Sequence, residues 1–127
     1  MDSNTQRTLR YLRGRGFVAE VVERWNPYSK TRKDLFNVID IVAMGSGHLY
    51  GVQSCSDSSR AAHRAKLLRE ERVRVWLNSG GLFLLITWGK HRGREKGQRR
   101  LRWREHVEDI TLDMIDAFEK TDSAGTA

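Results

Sequence analysis

Asp40, Gln53 and Cys55 are the residues of this 127-residue chain best placed to do chemistry together. They interrupt two apolar runs, Val38-Ile39-Asp40-Ile41-Val42-Ala43-Met44 and Leu49-Tyr50-Gly51-Val52-Gln53-Ser54-Cys55, joined by Gly45-Ser46-Gly47-His48. Apolar, β-branched runs on either side of a Gly-rich joint read as a hairpin. With Gly45 paired to His48, Met44 faces Leu49, Val42 faces Gly51 and Asp40 faces Gln53. Opposed side chains lie about 5 Å apart on one face. Cys55 shares that face, because side chains alternate along a strand. A carboxylate inside an apolar strand is costly unless a metal or a cation compensates it. A carboxylate, an amide and a thiol around one point therefore mark a place for a divalent metal. The plainer readings are an Asp40 paired to an arginine such as Arg60, a Gln53 amide serving backbone groups, and a Cys55 that fills space.

The elements that must position this trio can be read in order. Ser3-Asn4-Thr5-Gln6 matches a capping box, so a helix runs from there to about Arg13, with Leu9 and Leu12 inward and Gly14 and Gly16 ending it. Phe17 to Trp25 reads as a strand, Asn26-Pro27-Tyr28-Ser29 as a turn, and Lys30 to Phe36 as a basic loop. Ser56-Asp57-Ser58-Ser59 offers caps for a long helix from Ser59 to Leu77, with Ala61, Ala62, Ala65, Leu68, Val75 and Trp76 on its inner stripe. Leu82 to Thr87 reads as a strand buried on both faces. Gln98 to His106 reads as an edge strand, and Ile110 to Lys120 as a final helix capped by Thr111. The expected organisation is one domain over residues 1–120 and a disordered tail over 121–127. The expected class is α/β, with an α-β-β-β-α-β core in which an antiparallel meander is followed by a parallel strand after a helical crossover, giving a mixed sheet flanked by helices.

Composition narrows the function. One cysteine excludes an internal disulfide and fits a reducing compartment. The longest apolar stretch, Leu82 to Ile86, is far too short to span a membrane, and the N-terminus has no apolar signal core. A cytoplasmic protein with no membrane partner is expected. The net charge of +7 is concentrated: Lys90, Arg92, Arg94, Lys96, Arg99, Arg100, Arg102 and Arg104 stand against the single acid Glu95, and the rest of the chain is neutral. A neutral domain with one basic segment points to nucleic acid. Trp103 within the run offers a surface for stacking on a base, and Lys30, Arg32 and Lys33 add a second basic stretch. A solvated loop is the plain alternative. A protein-interaction factor with an acidic partner is a third class.

The element order, with Asp40 on the second strand and Gln53 on the third, resembles the PD-(D/E)xK nuclease superfamily, which includes archaeal Holliday junction resolvases and VRR-NUC-type domains. Ile39-Asp40-Ile41-Val42-Ala43 matches the first half of the family pattern. Gly51-Val52-Gln53-Ser54-Cys55 matches the second half in frame, with Gln53 where the family has Glu and Cys55 where it has Lys. Arg32-Lys33-Asp34-Leu35-Phe36-Asn37-Val38-Ile39-Asp40 is also similar to small phage and bacterial proteins of this type. The resemblance covers about Ser3 to Thr87 and implies a restriction-endonuclease-like core. It implies Mg²⁺ or Mn²⁺ held by Asp40 and Gln53, with Glu23 (or Glu20) on the first strand restoring lost negative charge and Asp34 reaching in from its loop. Lys66, Arg60 or His63, on the second helix, would supply the cation missing at Cys55. Hard Mg²⁺ suits carboxylate oxygens and acidifies a bound water, and a cation beside that water favours hydroxide. The implied function is a metal-dependent nuclease that hydrolyses DNA phosphodiester bonds, with branched or damaged DNA among its substrates. Such a protein would work as a homodimer in a bacterial or phage-infected cell. The alternative is a nucleic-acid-binding module on the same fold that has lost catalysis.

Overall fold

The computed structural model describes residues 3–92, 97 and 100–125, with side chains as far as residue 122. Helix α1 (Asn4–Gly14) starts as its capping box requires: the Ser3 hydroxyl accepts the Gln6 N–H at 3.1 Å. Strands β1 (Val18–Val21), β4 (Ile41–Gly45), β5 (His48–Ser56), β6 (Leu82–Arg92) and β7 (Leu101–Asp109) form one sheet in the order β1-β4-β5-β6-β7. Strands β1, β4 and β5 are an antiparallel meander, β5 and β6 are parallel, and β6 and β7 are antiparallel. The β4–β5 hairpin has the expected register, with Gly45 opposite His48, Met44 opposite Leu49 and Val42 opposite Gly51.

The crossover from β5 to β6 carries a 3-10 turn (Asp57–Ser59), α2 (Arg60–Arg69) and α3 (Glu71–Asn78). Helix α4 (Leu112–Gly125) follows β7, with Thr111 Oγ1 accepting the Met114 N–H at 3.3 Å. The sheet is a middle layer. On one face α1 buries Leu9 and Leu12 against Ile41, Ala43, Val52, Leu84, Ile86 and Trp88. On the other, Leu67 and Leu68 of α2, Val73 of α3 and Ile115 of α4 pack on Val38, Ile39, Phe83 and Leu85. The protein is thus α/β, with a mixed five-stranded sheet flanked by helices.

Four elements differ from the sequence reading. The first strand leaves the sheet after Val21, and its continuation β2 (Arg24–Asn26) pairs instead with β3 (Thr31–Lys33) in a separate hairpin. The segment read as a basic loop is therefore partly a strand. The long second helix breaks at Glu70, whose ψ of 112° is extended. The break lets Val73 turn to the core, and it leaves Ala61, Ala62 and Val75, expected on the inner stripe, exposed. The tail expected to be disordered from Thr121 continues α4 as far as Gly125.

Candidate metal centre and nucleic-acid surface

Asp40 sits where the β4 ladder is faulted. Its carbonyl accepts the Val22 N–H at 2.9 Å, and its own N–H reaches Val52 O at 2.9 Å, although Val52 is the register partner of Ile41. Two successive residues thus address one, which is a β-bulge. Packing agrees: Ile39 lies in the α2-side core and Ile41 in the α1-side core, whereas residues two apart share a face of a regular strand. The expected facing of Asp40 and Gln53 is therefore not kept. The Asp40 carboxylate caps the strand beside it instead, Oδ2 accepting the Ser54 N–H at 2.8 Å. Gln53 is fully buried with its Oε1 3.2 Å from His63 Nδ1, and no hydrogen bond joins it to Asp40 among the described residues.

The groups that close on Asp40 are acids. Glu23, Asp34 and Asp40 each present a ligand atom within 4.8 Å of the others. Glu23 directly precedes β2 and Asp34 directly follows β3, so the two ends of that hairpin deliver two of the three carboxylates. A tight turn then brings the chain from Asp34 back to Asp40. The Asn37 N–H donates to Asp34 O at 3.0 Å, and Leu35 bridges to Ile39. Phe36 and Asn37 take φ of 52° and 69° there, a region costly for a bulky side chain such as Phe.

This convergence shows in the proton affinity of Asp40. Burial raises its pKa from 3.8 to about 8, helped by a hydrogen bond with Asp34 and by the charges of Asp34 and Glu23, while the Ser54 N–H acts in the opposite direction. Three carboxyl groups with oxygens around one point match the needs of a hard divalent ion. The acidic trio could hold a metal ion. Of the ligands anticipated from the sequence, Asp40, Glu23 and Asp34 are brought together, and the Gln53 amide oxygen meets His63. The bulge carries no local sequence signal that would have revealed this.

The cations anticipated from the second helix are also elsewhere. Arg60 pairs with Glu108 at 2.8 Å and donates to Thr87 Oγ1 at 2.9 Å, tying α2 to β6 and β7. The Thr87 hydroxyl passes on to Asp57, which meets His91 at 2.9 Å. Lys66 is exposed, and neither it nor Arg60 pairs with Asp40, Asp34 or Glu23 among the described residues. Positive charge comes instead from the hairpin and α3. Arg32 pairs with Glu23 at 3.0 Å, and Arg24, Lys33 and Arg72 line a groove of about 710 Å³ that includes Glu23 and Asp34. Cys55 is buried, and burial raises the pKa of its thiol, as suits a packed filler.

The basic arm is split between the two faces of the β6–β7 ribbon. Lys90 stands opposite Trp103, and Arg92 opposite Leu101. Trp103 is not a bare platform: the Arg7 guanidinium lies 3.6 Å from its ring centre, and Lys90 Nζ lies 5.3 Å away. Arg7, Arg10, Tyr11, Trp88 and Trp103 enclose a cleft of about 360 Å³. Arg102 and Arg104 fall on the opposite face by strand alternation. Arg100 is exposed. Arg94, Lys96 and Arg99 lie outside the described residues. Among the described residues no helix is long and apolar enough to cross a membrane. The chain matches no protein-family model, and no curated protein matches it.

Proposed function

We propose that this protein is a Mg²⁺- or Mn²⁺-dependent nuclease of restriction-endonuclease-like architecture that hydrolyses phosphodiester bonds in DNA. The observation that carries this reading is the trio Glu23, Asp34 and Asp40, two of whose acids, Glu23 and Asp34, line a groove with Arg24, Lys33 and Arg72. Carboxylates collected at a site otherwise edged with cations suit a divalent ion below and a phosphate above. The bound ion would acidify a water and neutralise charge building on the phosphate. The protein's own residues do the rest. Asp40 gives up its proton when the ion arrives and stays fixed by the Ser54 N–H. Arg24 and Lys33 bind the phosphates that flank the cut, and Lys90, Arg92, Arg100, Arg102 and Arg104 extend the cationic surface to more distant phosphates. Arg32, paired with Glu23, takes the part that the resemblance gave to Lys66, Arg60 or His63.

The test is cleavage of supercoiled, linear and branched DNA in Mg²⁺ or Mn²⁺. Parent protein should cut, and Asp40→Ala should lose at least a hundredfold in rate. Equal residual activity in both would remove the assignment. The second reading, a DNA-binding module without catalysis, is favoured by the engagement of Gln53 with His63 in place of the metal. It requires salt-dependent DNA binding with no cleavage on any substrate.

Metal binding should depend steeply on pH. The Asp40 proton, held up to about pH 8, must leave when the ion binds. Affinity should rise about tenfold per pH unit between pH 6 and 8 and level off above that, with about one proton released per ion near pH 7. Calorimetry in buffers of different ionisation enthalpy measures that proton. A flat affinity between pH 6 and 8 would exclude Asp40 as a ligand.

A further inference from the structure

Among the described residues the β2–β3 hairpin pairs with no other strand, and its turn is closed by its own hydrogen bonds. Asn26 Oδ1 accepts the Tyr28 N–H at 2.9 Å and the Ser29 N–H at 3.3 Å, and Pro27 between them has a set φ. The hydroxyls of Ser29 and Thr31 meet at 2.7 Å across the turn. At its tip Tyr28 is 97% exposed, and on its shaft Trp25 is 59% exposed. Residues 24–33 contain Arg24, Lys30, Arg32 and Lys33 and no acid. Only Arg32 has an acidic partner among the described residues, and that partner is Glu23. A cationic ribbon that holds an aromatic ring in water at its end is matched to a polyanion with stackable faces. Its two ends are Glu23 and Asp34, so any strand lying along it leads to the acids.

We propose that this hairpin is a wedge for the boundary between double-stranded and single-stranded nucleic acid. Tyr28 stacks on the last base pair, and Arg24, Lys30 and Lys33 hold phosphates along the shaft. The inference rests on the nuclease reading and names its substrate class: forked, flapped or gapped duplex rather than continuous duplex. It also sets a distance. Glu23 to Asn26 spans about 10 Å at the rise of a strand, about three base pairs at 3.4 Å each, and the turn that carries Tyr28 lies just beyond. The cut falls about three to five nucleotides from the boundary.

The experiment compares a splayed-arm duplex with a blunt duplex of the same sequence, 2-aminopurine replacing adenine at the fork's last pair. Binding is read in the Asp40→Asn background, so that cleavage does not intervene, and cleavage is mapped with the parent. The fork should bind about tenfold tighter than the blunt duplex, with 2-aminopurine quenched, and Tyr28→Ala should erase both effects while Tyr28→Trp keeps them. Because Tyr28 touches solvent on all sides, its replacement leaves folding intact. A fork preference unchanged in Tyr28→Ala, or no fork preference in the parent, overturns the wedge. If the parent cuts fork and blunt duplex alike, the wedge fails and the nuclease reading stands. If Tyr28-dependent fork binding is found with no cleavage in any metal, the wedge stands as a binding device and the nuclease reading fails.

Discussion

Replacing Asp40 by Asn is expected to make the metal-free protein more stable at pH 8 and, on the proposed reading, to abolish divalent-ion binding at the acidic trio. The folded protein holds the Asp40 proton to about pH 8, whereas the unfolded chain loses it near the ordinary value of 3.8. Between these values the folded state binds more protons than the unfolded state, so stability falls as pH rises through the window. Below about pH 4 the parent carries no such penalty. Asn has the same shape and no charge. Its carbonyl can accept the Ser54 N–H, and its amide can donate to Asp34, replacing the carboxyl–carboxylate hydrogen bond. The variant should gain about 2–4 kcal/mol over the parent at pH 8 and almost nothing at pH 4. In melting temperature that is roughly 6–15 °C for a chain of this size. Scanning calorimetry at the two pH values, in chelator, decides it. An Asn variant no more stable than the parent at pH 8 would mean that neither burial nor the neighbouring acids hold the Asp40 proton. Adding saturating Mn²⁺ should reverse the order, because only the parent gains binding energy. A site that destabilises the protein until its ligand arrives is expected where selection acts on binding rather than on folding.

The parts of this fold legible in the sequence are those settled by local chemistry. The register of the β4–β5 hairpin was legible from Val42 to Gly51 because Gly45-Ser46-Gly47-His48 fixes a turn between two apolar runs. Helix α1 was legible from Ser3 and Gln6, and β6 from its continuous apolar run, buried from Phe83 to Trp88. The failures depend on distant partners. The bulge at Asp40 exists because Val22 takes its carbonyl while Val52 takes its N–H, and neither is a sequence neighbour. One faulted residue was enough to separate Asp40 from Gln53, since a slip of one position exchanges the faces of a strand. Strand β3 is wholly polar and shows no apolar alternation, so Lys30 to Phe36 read as a loop, and the start of β2 read as the end of the first strand. Glu23 and Asp34 could be nominated as acids within reach. Their convergence on Asp40 could not be seen without the hairpin that joins them.

Thr8→Val is expected to be the most damaging conservative change on the α1 side of the sheet. Thr8 is fully buried. Its Oγ1 accepts the Trp88 indole N–H at 2.8 Å, lies 2.7 Å from Ser54 Oγ, and donates to Asn4 O at 2.9 Å. Valine fills the same volume without the oxygen. The buried Trp88 N–H would then be stranded between helix and sheet at about 1–3 kcal/mol, and the half-buried Ser54 hydroxyl would lose its partner at about 1 kcal/mol, for a total of roughly 2–4 kcal/mol. Thr8→Ser keeps the oxygen and loses one methyl group, a change of about 1 kcal/mol. Urea denaturation should therefore rank parent, Ser and Val in that order, with the larger gap before Val. A Val variant as stable as the Ser variant would show that packing alone seats α1. The effect should also reach the acids. Ser54 is the residue whose N–H holds Asp40 Oδ2, so loosening its side chain loosens the strand position on which the Asp40 carboxylate rests. Metal affinity in Thr8→Val should fall at temperatures where the variant is still folded, while Thr8→Ser should bind as the parent does. A helix on the opposite side of the sheet from α2 would then be part of what positions the metal centre, through one threonine and one serine.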